Sequence, residues 1–187
     1  SLVYHFMFVN REFTVPNTFY PDGNLVEIVT SHHHLTDNSQ IADVTLFGSS
    51  SDGKTIGFKV ENGADGLWGS GSVSPQFSQS YGSSVAPLDA SASYVSEATH
   101  ADGYVDIEVH WKFKIDWNWD DVDSITWVAR ANDADGDTIW PATSQSGSSG
   151  EKAVENDLQI DSFEIRDEFD RLISNTYDTL FYPFPVQ

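Results

Sequence analysis

The chain is 187 residues long, with 29 acidic side chains against 9 basic ones, no cysteine and a formal charge of −20. Such a surface repels nucleic-acid phosphate and anionic lipid, and the absence of thiols excludes disulfides, thiolate metal sites and cysteine catalysis. No run of apolar residues approaches the ~18 that a membrane-spanning helix needs. Size and patterning suit one domain, residues 1–187, without a linker. The chain opens at Ser1 rather than Met, which fits a mature secreted form and sets the expectation of an extracellular or cell-surface location. The acidity has two readings, simple solubility and the binding of divalent cations.

Taken in order, residues 1–10 form an apolar head, in which Leu2, Val3, Tyr4, Phe6, Phe8 and Val9 are the assembly candidates. One reading tucks this strand into its own sandwich. The other donates it to a neighbouring subunit, completing that subunit's sheet by edge pairing. A loop punctuated by Pro16, Asn17, Pro21, Asp22 and Gly23 leads to a short strand, Leu25 to Thr30. His32, His33 and His34 follow; consecutive strand residues point to opposite faces, so three in a row do not converge on one ion, and an exposed polar loop is expected.

Between Ile41 and Val60 the pattern is that of a hairpin. Val44 and Leu46 alternate with Asp43, Thr45 and Phe47, the turn is Ser50-Ser51-Asp52-Gly53, and Ile56, Phe58 and Val60 then alternate with Thr55, Gly57 and Lys59. Residues 61–101 read as a long Gly/Ser/Ala-rich loop, with Trp68 either an exposed ligand platform or a plug for the sandwich end.

The dominant pattern is Tyr104 to Trp119, where every odd position from Val105 is apolar. Unbroken period two over that length implies a strand with one dry and one wet face, about 50 Å long unless a bend or bulge interrupts it. The alternation places Trp111 and Trp117 on the dry face, while Asp106 and Glu108 share the wet one. Asp120 to Asp123 should reverse the chain into Ser124 to Ala131 as a hairpin partner.

Asn132, Asp133, Asp135 and Asp137 surround Gly136, the oxygen-rich chemistry that Ca²⁺ requires, although the positions an EF-hand would fill with its first and twelfth ligands are Ala131 and Ala142. An ordinary Asp/Gly turn is the other reading. Ile165, Phe169, Leu172 and Ile173 fall at helical spacing, predicting one short C-terminal helix, and the tail from Leu180 to Val186 is again apolar.

No nucleophile elbow, HExxH, Walker A or GxGxxG motif is present, and Asp106 with Glu108 is indistinguishable from a pair of solvated strand residues, so no enzyme is expected. Ala42 to Trp140, through ADVTLFGSSSDGKTIGFKVEN, GYVDIEVHW and ANDADGD, resembles the carbohydrate-binding family 9 and DOMON-like sandwiches. That resemblance implies sugar or haem binding between aromatic side chains, with Trp68 and Trp140 the candidates, joined by Trp111 and Trp117. FVNREFTVPNTFYPDGNLVEI is similar to the N-terminal segment of TasA and camelysin-like secreted filament proteins, which implies subunits joined by donated strands.

The resulting expectation is an all-β, antiparallel, jelly-roll-like sandwich with long loops. It would be a non-catalytic subunit of an extracellular filament or surface layer, a homo-oligomer or polymer, assisted by Ca²⁺. The alternative is a glycan-binding module with an exposed aromatic platform, and a third is a haem or metal binder using His5, His32 to His34 or Met7.

Overall fold

The computed structural model describes residues 13–34, 37–63, 68, 74–99, 103–134, 138–139, 144–146, 153–156, 165–166, 169 and 172–174. Two antiparallel sheets pack face to face, so the protein is an all-β sandwich. The first sheet runs in the order β1 (Phe13–Thr14), β2 (Val26–His32), β7 (Val105–Phe113), β6 (Tyr94–Thr99). The second runs β10 (Ser144–Ser146), β8 (Ile125–Asp133), β3 (Ile41–Ser50), β4 (Thr55–Glu61), β5 (Gln76–Tyr81), with β9 (Thr138–Ile139) also paired to β8. The chain passes from one sheet to the other between β2 and β3, between β5 and β6, and between β7 and β8.

The core follows from the alternation. Ile107, Val109, Trp111 and Phe113 of β7 and Ile28 of β2 are buried against Leu46, Ile56, Phe58, Trp127 and Ala129 of the opposite sheet. Aromatic rings bridge the two layers: Phe58 lies 5.2 Å from Phe113 and 6.2 Å from Trp111, Phe77 meets Trp111 edge-on at 5.6 Å, and Phe113 lies 5.8 Å from Trp127. Phe19 closes one end, its backbone bonded on both sides to Ala153 and Glu155 and its ring 6.0 Å from Trp127.

Four expectations are corrected. β8 pairs with β3, not with β7. The connection from Lys114 to Ser124 is longer than a tight hairpin and spans the ~10 Å between layers, so both strands bury their apolar residues in one core from opposite sides. The long period-two run breaks after Phe113: Ile115 and Trp119 are buried, but Trp117 falls in a turn and is 60% exposed, not on the dry face. The stretch 61–101 contains β5 and β6, whose polar outward residues masked their alternation. The expected C-terminal helix is absent; Ile165–Arg166 (β11) pairs antiparallel with Leu172–Ser174 (β12), and Phe169 between them is 70% exposed instead of lying on a buried stripe. That ribbon belongs to a second compact unit, Asp157–Gln187; the first unit is Ser1–Asn156.

The hairpin from Ile41 to Val60 is as expected, and its turn is fastened by Asp52. That carboxylate accepts from Lys54 Nζ at 2.7 Å, from Trp119 Nε1 at 3.1 Å and from Ser50 Oγ. Partial burial alone would raise its pKa, but these donors, Lys54 first, hold it down to about 2. A carboxylate whose folded pKa lies below its unfolded value, ~3.9, stabilises fully above that value and loses the contribution as pH falls toward the folded one. Solvent screens these interactions at an exposed turn, so Asp52→Asn is expected to cost roughly 1 kcal/mol at pH 7 and almost nothing at pH 2. Urea unfolding at the two pH values checks this, and an equal cost at both would refute it.

Candidate functional site

Because β3, β4 and β8 bury every second residue, the others form the outer face of the larger sheet, and the pairing registers set them in rungs. Val128, Phe47, Gly57 and Tyr81 share one rung, Arg130, Thr45, Lys59 and Ser78 the next, and Asn132, Asp43, Glu61 and Gln76 the third. Tyr81 reaches this face through a bulge. Gln79 pairs with Phe58 and Tyr81 with Gly57, which leaves Ser80 as the extra residue and turns the phenol outward.

Gly57 makes room for it. A Cβ there would lie 2.9 Å from Tyr81 Cδ2 and 3.5 Å from Phe47 Cε1, so the two rings close over a bare stretch of backbone. Tyr81 remains 59% exposed. The Arg130 guanidinium stands 5.5 Å from the centre of the Phe47 ring. Beyond it, Asn132 Nδ2 donates to Asp43 Oδ1 at 2.6 Å, Lys59 Nζ lies 3.4 Å from Asp43 Oδ2, and Lys59 also donates to Glu61 Oε1 at 2.7 Å. The Glu61 hydrogen bond, with the Asp43 charge adding to it, keeps the Lys59 ammonium above the ordinary lysine range against the opposing effect of burial. All of these side chains except Glu61 line a groove of about 320 Å³. It offers an aromatic surface, fixed donors and fixed acceptors, with the Lys59 and Arg130 cations and the Asp43 anion in its wall and Glu61 paired to Lys59 just outside it.

Of the described residues singled out from sequence, Asn132 lines this groove and the others do not. Trp68 is no exposed platform: it is 2% exposed and its Nε1 donates to the Ile41 carbonyl at 3.1 Å, which matches its reading as a plug. Trp111 is fully buried in the core. Asn132 and Asp133 end β8, Asn132 engaged with Asp43 and Asp133 buried. Asp135, Asp137 and Trp140 lie outside the described residues, as do Leu2, Val3, Tyr4, His5, Phe6, Met7, Phe8 and Val9. The histidines are not an exposed loop. β2 continues past Thr30, which carries His32 to the inner face, and His33 is buried with Nδ1 3.1 Å from the Val105 carbonyl and 3.8 Å from Asp106 Oδ1. Asp106 is likewise buried, not on an open wet face with Glu108.

Phe47 and Lys59 were legible as wet-face residues of the hairpin; an aromatic among polar outward positions was the available signal. Tyr81 was hidden by the bulge and by the loop-like composition around it. Comparison with protein-family models, with curated proteins and with solved structures gives no match.

Proposed function

We propose that this chain is a glycan-binding module, and that the groove over Phe47, Gly57 and Tyr81 is its site. The reading is supported above all by the Tyr81 ring, exposed against Gly57 beside a row of hydrogen-bonded polar side chains. A pyranose presents an apolar C–H face and a rim of hydroxyls. The face stacks on Tyr81 and Phe47, while the rim exchanges hydrogen bonds with Arg130, Asn132 and the Lys59–Asp43 pair, which already stand in position. The protein's net charge of −20 repels polyanionic glycans at a distance, which favours an uncharged sugar.

Electrophoresis of the full chain through native gels containing mannan, xyloglucan, mixed-linkage glucan or dextran tests this. Retarded migration in at least one gel is expected. Tyr81→Ala should weaken binding about tenfold or more, near 1.4 kcal/mol, at an unchanged melting temperature. Free migration in all four gels, or retardation indifferent to Tyr81→Ala, refutes the reading.

A further inference from the structure

The outer face of the smaller sheet carries a different arrangement. His110, at the middle of β7, holds its ring among four partners. Nδ1 lies 2.9 Å from Glu27 Oε1 on β2, Nε2 lies 3.1 Å from Ser96 Oγ on β6 and 3.9 Å from Glu108 Oε2 on β7, and the ring stacks on Tyr94 at 4.1 Å with only 10° between planes. With Glu27 ionised, the proton on Nδ1 points at the carboxylate and Nε2 presents its lone pair to the Ser96 hydroxyl. The side chains of His110 and Ser96 are partly covered and Glu27 is more open, so the hydroxyl sits at a surface that a small molecule can reach.

From this geometry we infer that Ser96 is an activated nucleophile, with His110 its base and Glu27 a positioning residue, and that the site hydrolyses small aryl esters. Ser96 Oγ adds to the ester carbonyl carbon as its proton passes to His110 Nε2. The tetrahedral adduct then expels the aryl oxygen, which takes the proton from His110, leaving an acyl ester on Ser96. Water adds to that ester with His110 again taking the proton, the bond from the acyl carbon to Ser96 Oγ breaks, and the proton returns to Oγ as the carboxylic acid leaves. Ester and water thus become acid and phenol, with no further reactant.

The substrate class follows from the surroundings. Ser96 stands on the outer face of β6, the edge strand of the described sheet, rather than in an enclosed oxyanion hole. Esters with stabilised aryloxide leaving groups need the least such help. The Tyr94 ring, stacked on His110 and 44% exposed, leaves an apolar edge for an aromatic leaving group beside the nucleophile. The three residues occur in the order Glu27, Ser96, His110 on three strands, with no local motif to mark them.

The test uses the full chain with two probes. A fluorophosphonate should phosphonylate Ser96, mapped by peptide mass spectrometry, with loss of fluoride. 4-Nitrophenyl acetate should be hydrolysed at least tenfold faster than by Ser96→Ala protein. Both reactions should fall at least tenfold in His110→Gln and measurably in Glu27→Gln. Glu27 is the safer substitution should His110→Gln disturb the sheet, and circular dichroism of each variant reads its folding. No adduct on Ser96, or equal labelling in folded Glu27→Gln and His110→Gln proteins, overturns the inference and leaves the trio a cross-strand polar ladder. Glycan retardation through Tyr81 is unaffected by either outcome.

Discussion

Lowering the pH from 7.5 to 5 should remove on the order of 2 kcal/mol of stability through one side chain, His32. Its imidazole is 2% exposed on the inner face of β2, and burial pushes its pKa down from 6.5 to about 3. Trp111 Nε1 donates to Thr30 Oγ1 at 3.1 Å, and the same hydroxyl lies 2.9 Å from His32 Nε2, so the neutral imidazole has a hydrogen-bond partner inside the core. Below about pH 6.5 the unfolded chain binds a proton at this position that the folded chain refuses, so stability falls continuously from there toward pH 3. This window opens near pH 6.5, well above the one set by Asp52, so the step from pH 7.5 to 5 reads His32 before Asp52 begins to titrate. Urea titrations at pH 7.5 and 5 of the wild type and of His32→Gln measure the effect. A slope that survives the substitution would assign the acid sensitivity elsewhere.

Trp111→Ala should be the costliest single truncation, about 3–5 kcal/mol. The indole is fully buried, packs against Phe58 and Phe77 from the other layer, and donates a hydrogen bond to Thr30 Oγ1. Its removal leaves a cavity where the two layers meet and deprives a buried hydroxyl of its donor. Trp111→Phe keeps most of the ring and isolates the hydrogen bond, so it should cost about 1–2 kcal/mol. Chemical denaturation gives both values, and a loss below 1 kcal/mol for the alanine variant would mean that the layers close over the gap.

How much of this could be read beforehand depends on what each residue type signals. The alternation of Ile107, Val109, Trp111 and Phe113 announced a strand with one buried face, and the hairpin around Asp52 and Gly53 was written in its turn residues. Both signals are local. The pairing of β8 with β3 is not local, because two strands that bury opposite sides of one core look alike whether they adjoin or face each other. Ile165, Leu172 and Ile173 misled for a related reason: a helical stripe that short is also what two strand fragments and a turn produce. His32 was unreadable because its burial follows from two extra residues of β2, and strand ends are the least legible feature of a sequence. Of the proposed glycan groove, Phe47, Thr45, Asp43 and Lys59 were visible as the wet side of the hairpin, while Tyr81 required the bulge at Ser80. The Glu27, Ser96 and His110 trio was beyond reach, since it exists only once three strands are in register.

The three passages between layers set an order on events during synthesis. Thr30 meets Trp111 across 81 residues of chain and Thr45 meets Arg130 across 85, so neither layer can be completed by its own neighbours in sequence. A nascent chain emerging from the ribosome must keep β2 and the β3–β4 hairpin waiting, with unpaired edges, until β7 and β8 arrive. Such high contact order implies folding in milliseconds to seconds, after most of the first unit has been made. Acidic and hydroxylated residues along those waiting strands, Glu27, Asp43, Thr45 and Glu61 among them, would then serve a second purpose, keeping half-made molecules from pairing with one another.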